Sequence, residues 1–105
     1  MASTIENDYI RALDVVLSKR YTSPMDYSLK GYSEGALCLE KDENKGWCIY
    51  SAERGKRNFI RYYDMLLTAC LKFLSEIAIS EKNTIDMRNE YLAMTIDDDT
   101  FLKTA

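Results

Sequence analysis

The sequence predicts a single α+β domain: an N-terminal helix, a three-stranded antiparallel β-meander, then one long and one shorter C-terminal helix packed on the sheet. Three observations predict it. Apolar residues recur with a period of 3.6 in segments on both sides of the middle of the chain. The middle itself alternates with a period of two, and glycine-bearing turns separate its β-type runs. A chain of 105 residues is one domain, long enough to bury a core without disulfides or metal.

The first helix runs from Ser3 to about Tyr21. Ile5, Tyr9, Ala12, Leu13, Val16 and Leu17 form its stripe, while Asp8, Arg11 and Lys19 take the other side. Ser3 and Glu6 have the spacing of a capping box. Pro24 ends the segment, because proline disfavours helical geometry in the residue before it. A short extended piece at Tyr27–Leu29 and a polar loop bearing Gly31 and Gly35 follow. Ala36–Glu40 is the first strand of the meander, Asp42–Lys45 is turn chemistry, and Gly46–Ala52 is the second strand. Apolar groups on both faces suit a position near the sheet centre. Glu53–Arg57 turns the chain into a third strand, Asn58–Tyr63. Asp64 is a candidate N-cap for a helix from Met65 to about Ile79, with Leu66, Cys70, Phe73, Leu74 and Ile77 on its stripe. A weaker helix, from about Thr84 to Met94, carries Ile85, Met87, Tyr91 and Leu92.

Composition narrows the chemistry. The net charge of −3 argues against a dedicated nucleic-acid binder, which usually shows a basic balance or stripe. The sequence has no histidine, which removes the commonest general base and the commonest metal ligand and lowers the expectation of an enzyme. Three widely spaced cysteines and no evident signal segment predict free thiols in a reducing cytoplasm. No run is apolar enough to span a bilayer. Charge is segregated: Arg54–Arg61 holds four basic residues and no acidic one, whereas Glu76–Lys103 holds seven acidic and three basic.

Several constellations invite a chemical reading. Asp97-Asp98-Asp99 offers oxygen ligands to a hard cation, but lacks the alternate spacing and terminal Glu of an EF-hand loop. A solvated acidic segment is the plainer reading, and contact with a basic protein surface is a third. Glu53 and Arg54 have no second carboxylate placed to work with them, so they read as turn and cross-strand contacts. Lys56, Arg57 and Arg61 lie among Trp47, Tyr50, Phe59, Tyr62 and Tyr63, an interleaving some RNA-binding sheets use. In a sheet that helices must cover, those aromatics read first as packing residues.

The runs Tyr32-Ser33-Glu34-Gly35-Ala36-Leu37-Cys38-Leu39-Glu40-Lys41, Gly46-Trp47-Cys48-Ile49-Tyr50 and Glu53-Arg54-Gly55 form a hairpin that closes in an aromatic and a Glu-Arg-Gly turn. A further strand and the helix holding Thr68–Leu74 follow. Over Tyr27–Ile79 this pattern resembles small immunity proteins of bacterial polymorphic-toxin and contact-dependent growth-inhibition systems. The segment beyond Ile79 is longer than the pattern expects. The resemblance implies a cytoplasmic, non-catalytic α+β protein, expected as a monomer without cofactor, metal, membrane or direct nucleic-acid contact. Such a protein binds and neutralises the C-terminal toxin domain, often a nuclease, of a large secreted effector. The expected toxin-binding residues are acidic Glu81, Asp86, Glu90, Asp97, Asp98 and Asp99, with Tyr32 and Glu34 as a second surface beside the turn Asp42–Lys45. The alternative is a small nucleic-acid-binding module built on the basic-aromatic turn at 54–63.

Overall fold

A computed structural model describes residues 2–96, with side chains from 7 to 95. The order is α1 (Ala2–Ser18), β1 (Tyr27–Ser28), β2 (Leu37–Asp42), β3 (Gly46–Glu53), β4 (Lys56–Tyr63), α2 (Leu66–Ile77) and α3 (Glu81–Ile96). The fold is α+β, with three helices and a four-stranded mixed sheet in the order β1-β2-β3-β4. The expected antiparallel meander is present as β2-β3-β4, and β3 is central in it. The correction is at the other edge, where the extended piece at Tyr27 pairs parallel to β2 as a fourth strand. Two residues carry no readable period, so pairing here rests on tertiary contacts. Tyr27 is buried, and its hydroxyl donates to Asp14 Oδ1 of α1 at 2.7 Å.

The helices pack on one face. α2 lies at the centre of that layer, touching β2, β3 and β4 as well as α1 and α3. Of its stripe, Ile77 is half-buried, while Leu66, Cys70, Phe73 and Leu74 are buried with Ala69 beside them. They join Tyr9, Leu13, Val16 and Leu17 of α1 and Leu39, Trp47 and Ile49 of the sheet in the main core. Burial pushes the Cys70 thiol up to about 12, so it packs as a small apolar group. All three cysteines are free and buried.

Three local expectations need correction. Asp64 is not the N-cap of α2: the chain stays extended through Met65, which takes that position without a side-chain cap. α1 is already helical at Ala2, ahead of Ser3, and the side chains of Ser3 and Glu6 lie outside those described. The last helix is the longer of the two, and it packs chiefly on α1 and α2. Ser80, which breaks the apolar pattern, is the reason: its Oγ accepts from the Asn83 amide at 3.1 Å and starts α3 at Glu81. From there α3 buries the narrow row Met87, Tyr91 and Thr95, while Ile85 is exposed.

The opposite face of the sheet carries a second, smaller core. Ala36, Cys38, Cys48, Tyr50 and Ala52 are buried there, and Tyr32 from the preceding loop packs over them. This face and the β4 edge beside it carry the features considered next.

Candidate protein-binding surface

The stretch Glu53-Arg54-Gly55-Lys56 is a two-residue hairpin turn, with Glu53 opposite Lys56 and positive φ at both Arg54 (53°) and Gly55 (74°). This is the twist-matched type I′ geometry, in which asparagine or aspartate usually takes the place Arg54 occupies. Glu34 offsets that mismatch. Its Oε2 accepts from the Arg54 amide at 2.7 Å and its Oε1 from the Gly55 amide at 3.1 Å. Tyr32 donates its hydroxyl to the same Oε1 at 2.6 Å. These three donors, the tyrosine first, hold the Glu34 carboxyl below the usual carboxylate range.

Arg57 fastens the same loop from β4. Its guanidinium lies 5.5 Å from the Tyr32 ring centroid and 5.2 Å from that of Tyr50. It also donates to Glu40 Oε1 at 3.2 Å, and Tyr50 donates to that oxygen at 2.6 Å. Tyr32 and Glu34 therefore act in this structure as a clasp between the Gly31–Gly35 loop and the β3–β4 turn.

A pH dependence follows. A carboxyl held below its unfolded value contributes stability that is fully present above the unfolded pKa, and loses it as pH falls through the folded one. Glu34→Gln is expected to melt below the parent near neutral pH, with the gap closing below pH of about 4. Melting curves of both proteins across that range check it. A gap that stays constant into acid would show that the charge of Glu34 contributes nothing.

β4 is an outer strand, and its register holds the main irregularity of the sheet. Ile49 pairs with Arg61 and Ser51 with Asn58, so Tyr50 stands opposite both Phe59 and Ile60. The extra residue is a bulge. Phe59 takes a left-handed φ of 57°. For a bulky L-residue that conformation costs about 1–2 kcal/mol. Burial does not offset it, because Phe59 is 79% exposed. Ile60 (40%), Tyr62 (44%) and Met65 (65%) continue the exposed apolar run. Lys45 lies over the Tyr62 ring at 4.5 Å. A hollow of about 410 Å³ beside the turn is lined by Glu53, Arg54, Lys56 and Asn58.

The described residues expected to bind a partner fall in two groups: Glu81, Asp86 and Glu90 on α3, and Tyr32 with Glu34 in the loop before β2. Glu90 is engaged: it accepts from Arg20 at 2.8 Å and lies 3.7 Å from the Lys19 ammonium, joining α3 to α1. Its carboxyl is held below the usual range, mainly by the Arg20 hydrogen bond. Glu34 and Tyr32 are occupied by the clasp. Glu81 and Asp86 are exposed on α3 and make no ion pair among the described residues. Asp97, Asp98 and Asp99 lie outside the described residues. Among the described residues no group of three or more candidate ligands is placed to hold a metal ion. No described helix is long and apolar enough to cross a membrane.

Sequence reasoning missed the exposed run on β4. Phe59 reads as a packing residue because aromatics in a strand usually pack. The available signal was the adjacent pair Phe59-Ile60, which breaks strict alternation. Comparisons of the chain with protein-family models, curated proteins and solved structures find no match.

Proposed function

We propose that this chain is an immunity-type protein, which binds the C-terminal toxin domain of a large secreted effector and holds it inactive in an equimolar complex in the cytoplasm. The observation that carries a protein-binding role is the strained, exposed Phe59 with exposed Ile60 beside it in the β4 bulge. A few aromatic and arginine anchors usually carry most of the binding energy of a protein interface. The assignment of a toxin as the partner rests on the resemblance over Tyr27–Ile79. On this reading the contact surface is β4 and its turn, rather than the acidic side.

Exposed Phe59, and exposed Tyr62 with Lys45 over its ring, also favour the second reading, a sheet that stacks single-stranded nucleic acid. Charge weighs against it. Arg57 and Arg61 are already paired with Glu40 and Glu76, and the whole chain carries −3.

Co-expression with the toxin domain of a neighbouring effector tests the proposal. The expected result is a stable 1:1 complex in which toxin activity is abolished. A toxin that stays active in the presence of excess folded protein would defeat it. Steeply salt-dependent binding of RNA or DNA by the chain alone would favour the second reading.

A further inference from the structure

We infer that Phe59 is the anchor of the partner interface, and that it enters an apolar pocket rimmed by carboxylates rather than a nucleic-acid-binding cleft. The inference rests on the toxin-binding reading above and specifies which kind of partner surface is engaged.

Conformation comes first. The bulge at Phe59 and Ile60, together with Lys56 and Arg57, resembles a device that keeps an outer strand from pairing with other chains. Such a device has no need of phenylalanine. Glycine or asparagine makes the same left-handed kink with less strain and exposes no ring. Phenylalanine does the opposite on both counts, at 79% exposure. Ile60, its neighbour in the bulge, is exposed as well.

Charge then selects the occupant. From Arg54 to Arg61 the chain has four cations and no carboxylate. Arg57 and Arg61 are answered by Glu40 and Glu76. Arg54 and Lys56 are exposed and make no ion pair among the described residues, and Lys45 sits over Tyr62. Glu53 is the single exposed carboxylate lining the hollow beside the turn. Among the charges of β4 and its turn, the unpaired ones are Arg54 and Lys56 against Glu53, which leaves that end of the strand net positive. A cleft that binds nucleic acid is itself basic and would be repelled, whereas carboxylates around an apolar pocket complement this surface.

The test uses the full chain and, as probe, the toxin domain of the neighbouring effector. Phe59→Gly removes the ring and relieves the backbone, and Phe59→Asn repeats this with a residue that tolerates the same φ. Both variants are expected to melt close to the parent and to bind about thirtyfold or more weakly. The double variant R54E/K56E is expected to bind about tenfold more weakly, with slower association that is most evident at low salt. Parent-like binding by both Phe59 variants overturns the inference while leaving the toxin-binding reading intact. Tighter binding by R54E/K56E overturns the acidic-partner assignment. A parent that neither binds nor inhibits the toxin removes the toxin-binding reading and this inference together. Oligonucleotide binding by the parent that is lost in Phe59→Gly reassigns the ring to base stacking.

Discussion

Phe73→Ala is expected to lower the free energy of unfolding by about 3–5 kcal/mol, the range for deleting a fully buried aromatic ring. Phe73 has no exposed surface, and it lies in α2, the helix in contact with both other helices and with three strands. Around it in the main core are Leu13, Val16 and Leu17 from α1, Ile49 from β3, and Met87 and Tyr91 from α3. Tyr91 is held in place by its own hydrogen bond to the Tyr9 carbonyl at 3.2 Å, which limits collapse into the space left. A small domain has about 5–15 kcal/mol of stability in total, so the variant is expected to be partly unfolded at physiological temperature. Urea unfolding should show a lower midpoint with an unchanged slope. Met65→Ala, at a residue 65% exposed, should move the midpoint little. A loss below about 1 kcal/mol for Phe73→Ala would mean that the three-helix layer is not closed around α2 as described.

The parts of this fold legible in the sequence are those where a long period decides the structure. The stripes of α1 and α2 repeat over several turns, and Tyr9, Ala12, Leu13, Val16 and Leu17 of the first and Leu66, Cys70, Phe73 and Leu74 of the second are buried. The meander is legible because Asp42–Lys45 and Arg54-Gly55 are turn chemistry with glycines at positive φ. What was not legible depends on partners distant in sequence. β1 is two residues long and exists through pairing with β2 and the Tyr27–Asp14 bond to α1. α3 has no continuous apolar stripe, since Ile85 and Met94 are exposed, so its start is set by the Ser80 cap and its packing by three buried side chains.

The candidate surface shows the same division. Glu34 reads as an exposed acid available to a partner, yet its carboxylate closes on backbone amides twenty and twenty-one residues away. Glu90 is likewise consumed by Lys19 and Arg20. Conversely, Phe59 reads as packing and is exposed, because a one-residue bulge moves it out of register. Local residue chemistry identifies which groups can bind. The register and the long-range hydrogen bonds decide which of them are free to do so.

Gly46→Ala is the second large effect, and it tests how the hairpin is joined to the helical layer. Gly46 opens β3 opposite Asp42 with φ of 88°. A Cβ placed there would stand 2.5 Å from the Tyr63 carbonyl oxygen and 3.1 Å from both Cα and O of Asp64. All three are backbone atoms at the point where β4 ends and the chain turns toward α2, so no side chain can rotate away to make room. Relief requires moving that junction, and with it the cross-strand pair Trp47–Tyr63 and the buried Leu66 at the start of α2. Left-handed strain and overpacking together give an expected loss of roughly 2–5 kcal/mol. Gly55→Ala supplies the comparison. Its φ is also positive, at 74°, but nothing lies within 4 Å of the added methyl. That variant carries the conformational cost alone, about 1 kcal/mol. Denaturant midpoints of the two proteins isolate the steric part as their difference. Equal losses would show that Tyr63 and Asp64 yield freely, and that the close approach of Gly46 to this junction does not tie the hairpin to α2.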